Sequence, residues 1–208
     1  SKLGLRPGQT IAVEDAIKAL VTKSANDAAA TIAENVAGSE EAFAGMMTRK
    51  ARALGMSRTV YRNASGLPDP EQVTTARDLA ILARAVQERF PRHYRYFQTR
   101  VFHYAGRAIP NHNRLLGKVD GVDGIKTGFT RASGFNLMTS ARTDDRHIVA
   151  IVLGGRSGAS RDQKMAALVG SHLPRAYAGL RTAPAVAEAA ERPRPAVVAE
   201  APRPVAAR

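Results

Sequence analysis

The sequence contains no cysteine and no tryptophan, and its aromatic residues are limited to six Phe and five Tyr among 208 positions. Without Cys there can be no disulfide framework, thiolate zinc site or catalytic thiol, whatever the compartment. No stretch approaches the roughly 18 consecutive apolar residues of a membrane span. The chain opens at Ser1 with no basic leader and apolar run behind it, and so reads as a processed chain or a fragment. Negative charge is also scarce: 18 Asp and Glu against 31 Lys and Arg leave a formal charge of +13. That excess favours a neutral or anionic partner. The arginines are scattered singly from Arg6 to Arg208, whereas a nucleic-acid binder gathers them on one element. A solvated basic surface with no nucleic-acid partner is the preferred reading.

What is present suits one folded body. Hydrophobic residues make up 44% of the chain, enough for a globular core. From Arg181 onward the composition changes to Pro, Ala and Arg with no aromatic residue. Such a segment buries too little apolar surface to offset its ordering entropy. Residues 180–208 are therefore expected to be a disordered tail, with the body ending near Gly179.

The first third of the body has helical periodicity. Val13, Ile17, Leu20 and Val21 make one apolar face that stops at Ser24-Ala25-Asn26-Asp27. Asn26 or Asp27 is expected to cap a second helix that ends at Gly38. Ser39 starts a third, with Phe43, Met46, Met47 and Leu54 inward, and Thr75 with Asp78 resembles a capping box for a fourth that halts before Pro91. The second half has strand patterns: an aromatic-rich stretch from Tyr94 to Tyr104, then IKTGFT, GFNLMTSA and HIVAIVLGG, with a closing helix from about Arg161 to Ala176. Helices, then an antiparallel sheet, then a helix is an α+β arrangement.

Two short motifs could carry chemistry. Lys126-Thr127-Gly128 sets a fixed cation and a hydroxyl beside a glycine that lets a ligand backbone approach the strand. Ser24-x-Asn26 follows directly on a helix end, where a hydroxyl can pass a proton and an amide can hold a carbonyl. Alone, each has a plain structural reading as a strand entry or a helix cap. The histidines at 93, 103, 112, 147 and 172 show no metal-ligand spacing, and no phosphate-binding glycine loop occurs. No metal or cofactor is expected. Asn111-His112-Asn113 reads as a loop that satisfies its own turn, with a place along a cleft as the second reading.

S-x-N and K-T-G, in this order, belong to the signature of class A β-lactamases and penicillin-binding proteins. The blocks SANDAAATIAENVAGSEEAFAGMM, LGMSRTVYRNASGLPDPEQVTTARDLA, GVDGIKTGFTRASGFNLMTSA and VLGGRSGASR resemble consecutive stretches of the serine D-alanyl-D-alanine carboxypeptidases (peptidase family S11), the low-molecular-mass penicillin-binding proteins. The likeness runs from about Ser1 to Ala178. It implies a β-lactamase/transpeptidase-like fold, a periplasmic or other extracytoplasmic location, and acyl-enzyme hydrolysis of peptidoglycan stem peptides ending in D-Ala-D-Ala, with β-lactams as further ligands. It further implies that Ser24 and Lys126 belong to the catalytic group, and that Asn26, Thr127, Gly128, the backbone N–H of Phe129 and Arg161 hold substrate. These groups should converge on one cleft.

One departure is plain. The family's nucleophile and general base lie in S-x-x-K, and no Ser or Thr in the 208 residues has a Lys three positions later. SKLGLRPGQTIAVEDAI resembles the stretch that follows that motif. The expectation is a partial domain over residues 1–179, truncated at its N-terminus, with an incomplete sheet and no activity by itself. The competing reading is a non-catalytic protein that binds peptidoglycan peptides along the Lys126 strand.

Overall fold

The computed structural model describes residues 1–179 and 183–189. Helix α1 (Val13–Lys23) ends where Ser24 turns into the left-handed region at φ 56°, and α2 (Asn26–Ala37) starts two residues later. Helix α3 (Glu40–Ala53) is capped by the Ser39 hydroxyl, which accepts from the Ala42 N–H, and α4 (Ala76–Arg89) by Thr75 in the same way. Alanines let these helices approach closely: Ala16, Ala19, Ala28 and Ala33 are all but inaccessible.

A short helix α5 (Pro91–Tyr94) and a 3-10 turn (Arg95–Gln98) lead to the hairpin β1 (Val101–Tyr104) and β2 (Arg107–Pro110). Three antiparallel strands follow, β3 (Val122–Thr130), β4 (Gly134–Arg142) and β5 (His147–Gly155), in the order β3-β4-β5. Helix α6 (Gly158–His172) packs on one face of this sheet through Met165 and Val169 against Leu137 and Ala141. On the other face Ala83 of α4 meets Ile125, Met138 and Val149. The sheet is thus sandwiched between helices and the fold is α+β, with the β3 edge unpaired among the described strands.

Several expectations fail locally. The aromatic stretch does not enter a strand until Val101, because Tyr94 and Phe97 sit one turn apart with ring centroids at 5.4 Å. Burying Tyr94 beside Ile125 outweighs the aromatic preference for strands. Val13 is 72% exposed and Met46 40%, so neither faces the core. Buried α1 positions are Ala16, Ala19, Val21 and Thr22, a small-residue face that hydropathy alone undervalues. Neither Asn26 nor Asp27 caps α2; Ala25 holds that position without a side-chain bond. Helix α6 begins three residues before Arg161, since Ser157 and Ser160 form a reciprocal capping box.

Residues 183–189 fall within the stretch expected to be a structureless tail. Here Val186 packs on the cluster of Ala51, Leu54, Met56 and Ala85. Residues 180–182 and 190–208 lie outside the described part.

Candidate active site

The end of α1, the start of α2, the loop at 111–113 and the middle of β3 come together at one place. Asp27 fixes its first wall. The carboxylate accepts from the N–H groups of Leu3, Gly4 and Leu5 at 2.8, 2.7 and 3.1 Å and from that of Ala28 at 3.0 Å. Burial would raise the Asp27 pKa, but these four donors outweigh it and leave the carboxyl below its ordinary value. The opening stretch of the chain is thereby tied to the turn that bears Ser24 and Asn26, and the Asn26 N–H donates to the Ser1 carbonyl at 2.8 Å.

The loop supplies a second wall. Its turn is self-satisfied, the Asn113 N–H donating to Asn111 Oδ1 at 2.8 Å. The same loop also reaches both neighbours. The His112 N–H donates to the Thr22 carbonyl at 2.9 Å, and Asn113 Nδ2 donates to the Gly124 carbonyl at 3.3 Å. Burial, then the charges of Lys126 and Lys23, push the His112 imidazole below its usual pKa.

Strand β3 brings the cation. Lys126 Nζ donates to Ser24 Oγ at 2.9 Å and to the Thr127 carbonyl at 2.6 Å. Burial, aided by the positive charge of Arg161, lowers the ammonium pKa to about 8. A lysine so placed holds positive potential at neutral pH and can give up its proton at modest cost. Beyond it the strand becomes accessible: Gly128 is exposed, and a Cβ there would meet only Asn136, at an ordinary 3.9 Å. Phe129 is 58% exposed and meets Phe135 across the hairpin in a tilted ring contact, centroids 4.3 Å apart.

Arg161 packs against β4 and β5, 6% exposed, on the α6 face that also carries Met165 and Val169. Its Nη1 donates to the Asn136 carbonyl at 2.9 Å, and its Nε and Nη2 both reach Asp162 Oδ1. Its charge is felt at Lys126, yet most of its donors are already engaged inside the protein. Among the described residues no three His, Asp or Glu side chains come together to hold a metal.

Ser24 and Lys126 are therefore in contact, Asn26 is two residues from Ser24, Thr127 through Phe129 continue the same edge, and Arg161 acts from α6 through its field. Sequence reasoning missed Asp27 as the tie for this turn. For the 111–113 loop it preferred a self-satisfied turn over a place along the cleft, and the loop has both features.

The D-alanyl-D-alanine carboxypeptidase model of peptidase S11 matches residues 1–157. The chain belongs to that family. It is 38% identical over 158 residues to the D-alanyl-D-alanine carboxypeptidase DacC of Escherichia coli, a match that covers 76% of this chain and 40% of DacC. Among solved structures, the carboxypeptidase DacD of Francisella tularensis superposes with a TM-score of 0.76 at 31% identity, covering 82% of this chain and 54% of that one. Penicillin-binding protein D2 of Listeria monocytogenes, in its cefotaxime-bound form, gives 0.71 at 31% identity, over 78% of this chain and 68% of that one. This S11 chain thus spans about two fifths of the curated relative it matches, and it has the penicillin-binding-protein fold.

Proposed function

We propose that this chain forms the substrate-binding and proton-relay part of a serine D-Ala-D-Ala carboxypeptidase that trims peptidoglycan stem peptides outside the cytoplasm. The observation that carries the reading is the Lys126–Ser24 hydrogen bond at the unpaired β3 edge, in a chain of the S11 family. The reaction needs an S-x-x-K pair, which these 208 residues do not contain. In this reading that pair stands N-terminal to Ser1.

The steps follow from the site's chemistry. The serine oxygen of S-x-x-K attacks the carbonyl between the two D-alanines, and the C–N bond breaks as the terminal D-alanine leaves with a proton. Ser24 delivers that proton, a role that its bond to Lys126 supports. Asn26 donates its amide to the substrate's carbonyl, and the Phe129 N–H stabilises the oxyanion. The Thr127 hydroxyl binds the terminal carboxylate, with Lys126 and Arg161 supplying positive potential. Gly128 keeps the edge open for the extended peptide. Water then cleaves the acyl-enzyme. β-Lactams, one of which occupies the Listeria relative, would acylate the same serine.

The test compares the 208-residue chain with a form extended N-terminally to include S-x-x-K. The extended form should release D-alanine from a D-Ala-D-Ala peptide and bind a fluorescent penicillin covalently; the shorter one should do neither. In the extended form Arg161→Ala should weaken transition-state binding by removing positive potential near the terminal carboxylate. That loss should be larger for a peptide with a free terminal carboxylate than for its amide. Labelling of the 208-residue chain would overturn the assignment of the nucleophile to S-x-x-K, and equal losses on the two peptides would remove Arg161 from carboxylate binding.

A further inference from the structure

Residues 183–189 run along the face formed by α3 and α4, and two of their side chains turn inward. Val186 and Glu188 are partly buried, while Ala185, Ala187 and Ala189 are exposed. Ala51 and Ala85 are small enough to leave a recess between the helices, and Val186 fills it with Leu54 and Met56 at its walls. Two residues on, Glu188 pairs with both Lys50 of α3 and Arg89 of α4. Hydrogen bonds from these two cations hold its carboxyl below the ordinary pKa.

The backbone is read as well. The Val186 N–H donates to Glu88 Oε2 at 2.7 Å, and the Arg84 guanidinium donates to the Pro184 carbonyl. The Ala189 N–H donates to the carbonyl of Ala53 at 2.9 Å. Ala53 is the last residue of α3, where helix carbonyls have no intrahelical partner. The docked segment thus supplies a donor that the helix end lacks.

We propose that the α3–α4 face is a peptide-docking groove that reads an apolar side chain and a carboxylate two positions later, and that its occupant is the chain's own 183–189 segment. The recess selects the branched side chain, the Lys50 and Arg89 pair selects the carboxylate, and Glu88 and Ala53 fix the peptide's register. The groove shares no residue with the Ser24–Lys126 site, so it stands whatever reaction that site performs.

Amide hydrogen exchange read by NMR on the whole 208-residue chain tests it. The Val186 and Ala189 amides should exchange at least about tenfold more slowly than in a free peptide of residues 183–189. Glu188→Lys should return both to the free-peptide rate while the α6 amides, which report the intact fold, stay unchanged. Adding Lys50→Glu and Arg89→Glu to Glu188→Lys should restore protection by reversing the charge pattern. Free-peptide exchange in the parent chain, or protection that survives Glu188→Lys, overturns the groove; failure of the triple variant to regain protection overturns the reading of the carboxylate by Lys50 and Arg89.

Discussion

Lys126 Nζ lies 2.9 Å from Ser24 Oγ, a hydrogen bond between a strand interior and a helix end that are 102 residues apart in the chain. The ammonium there is partly buried and feels the positive charge of Arg161. Both features lower its proton affinity.

Lys126 should titrate near pH 8, well below the ordinary 10.5. A ¹³C label on its Cε read against pH checks this. Arg161→Gln should move the midpoint upward but leave it well below 10.5, because burial is the larger cause. The unfolded chain holds more protons than the folded one between the two values, so this group's contribution to stability should rise as pH climbs from about 8 to about 10.5. A midpoint at 10.5 in the parent chain would exclude burial as an influence on the ammonium.

Asp27→Asn should destabilise the chain by about 1–3 kcal/mol, since a carboxylate that accepts several backbone N–H bonds is replaced by a weaker acceptor. The folded pKa is depressed, so the stabilisation is present above the unfolded value of about 4 and is lost as pH falls through the folded one. Urea melts at pH 7 and pH 3 should therefore show a gap between parent and variant that narrows in acid. A gap of the same size at both would exclude the charge as its source.

Met165→Ala should cost about 2–5 kcal/mol. Met165 is wholly inaccessible and fills the layer between α6 and the sheet. Thermal unfolding by circular dichroism gives the shift, and a loss under about 1 kcal/mol would mean that the layer collapses around the gap.

Gly155→Ala should also destabilise, by about 1–3 kcal/mol as overpacked sites do. A Cβ there would stand 2.9 Å from Arg161 Cβ and 2.9 Å from the Phe135 carbonyl, both held by regular structure. Displacing α6 from β5 should move the Arg161 guanidinium, and with it the Lys126 midpoint. Titrating Lys126 in this variant separates that effect from a simple loss of stability.

Much of the fold was legible because its signals are local. Ser39 and Thr75 cap the helices that their sequences announce, and β3 to β5 fall on the three strand-like runs. Errors arose where tertiary burial outvoted local pattern, as with Tyr94 and Phe97 drawn into a helical turn by Ile125. An Ala-rich helix also hides its inward face, since Ala16 and Ala19 carry a weaker hydropathy signal than the exposed Val13. At the site, Ser24 and Lys126 could be paired only through the family resemblance, because no local rule spans 102 positions. Asp27 was read as a cap since its sequence neighbours are a helix start; three of its four donors, Leu3 to Leu5, lie more than twenty residues away. Val186 and Glu188 were hidden by the composition around them, which speaks for solvation while two side chains find a recess and two cations.

The left-handed turn at Ser24 has a consequence for engineering. A side chain at φ 56° carries a steric cost of about 1–2 kcal/mol that glycine escapes. Ser24→Gly and Ser24→Ala both delete the hydroxyl and its bond to Lys126, yet they differ in this cost, so the glycine variant should be the more stable of the two by about 1 kcal/mol. Their difference isolates the backbone strain from the hydrogen bond. Any substitution that relieves the turn at position 24 therefore also removes the oxygen that meets Lys126.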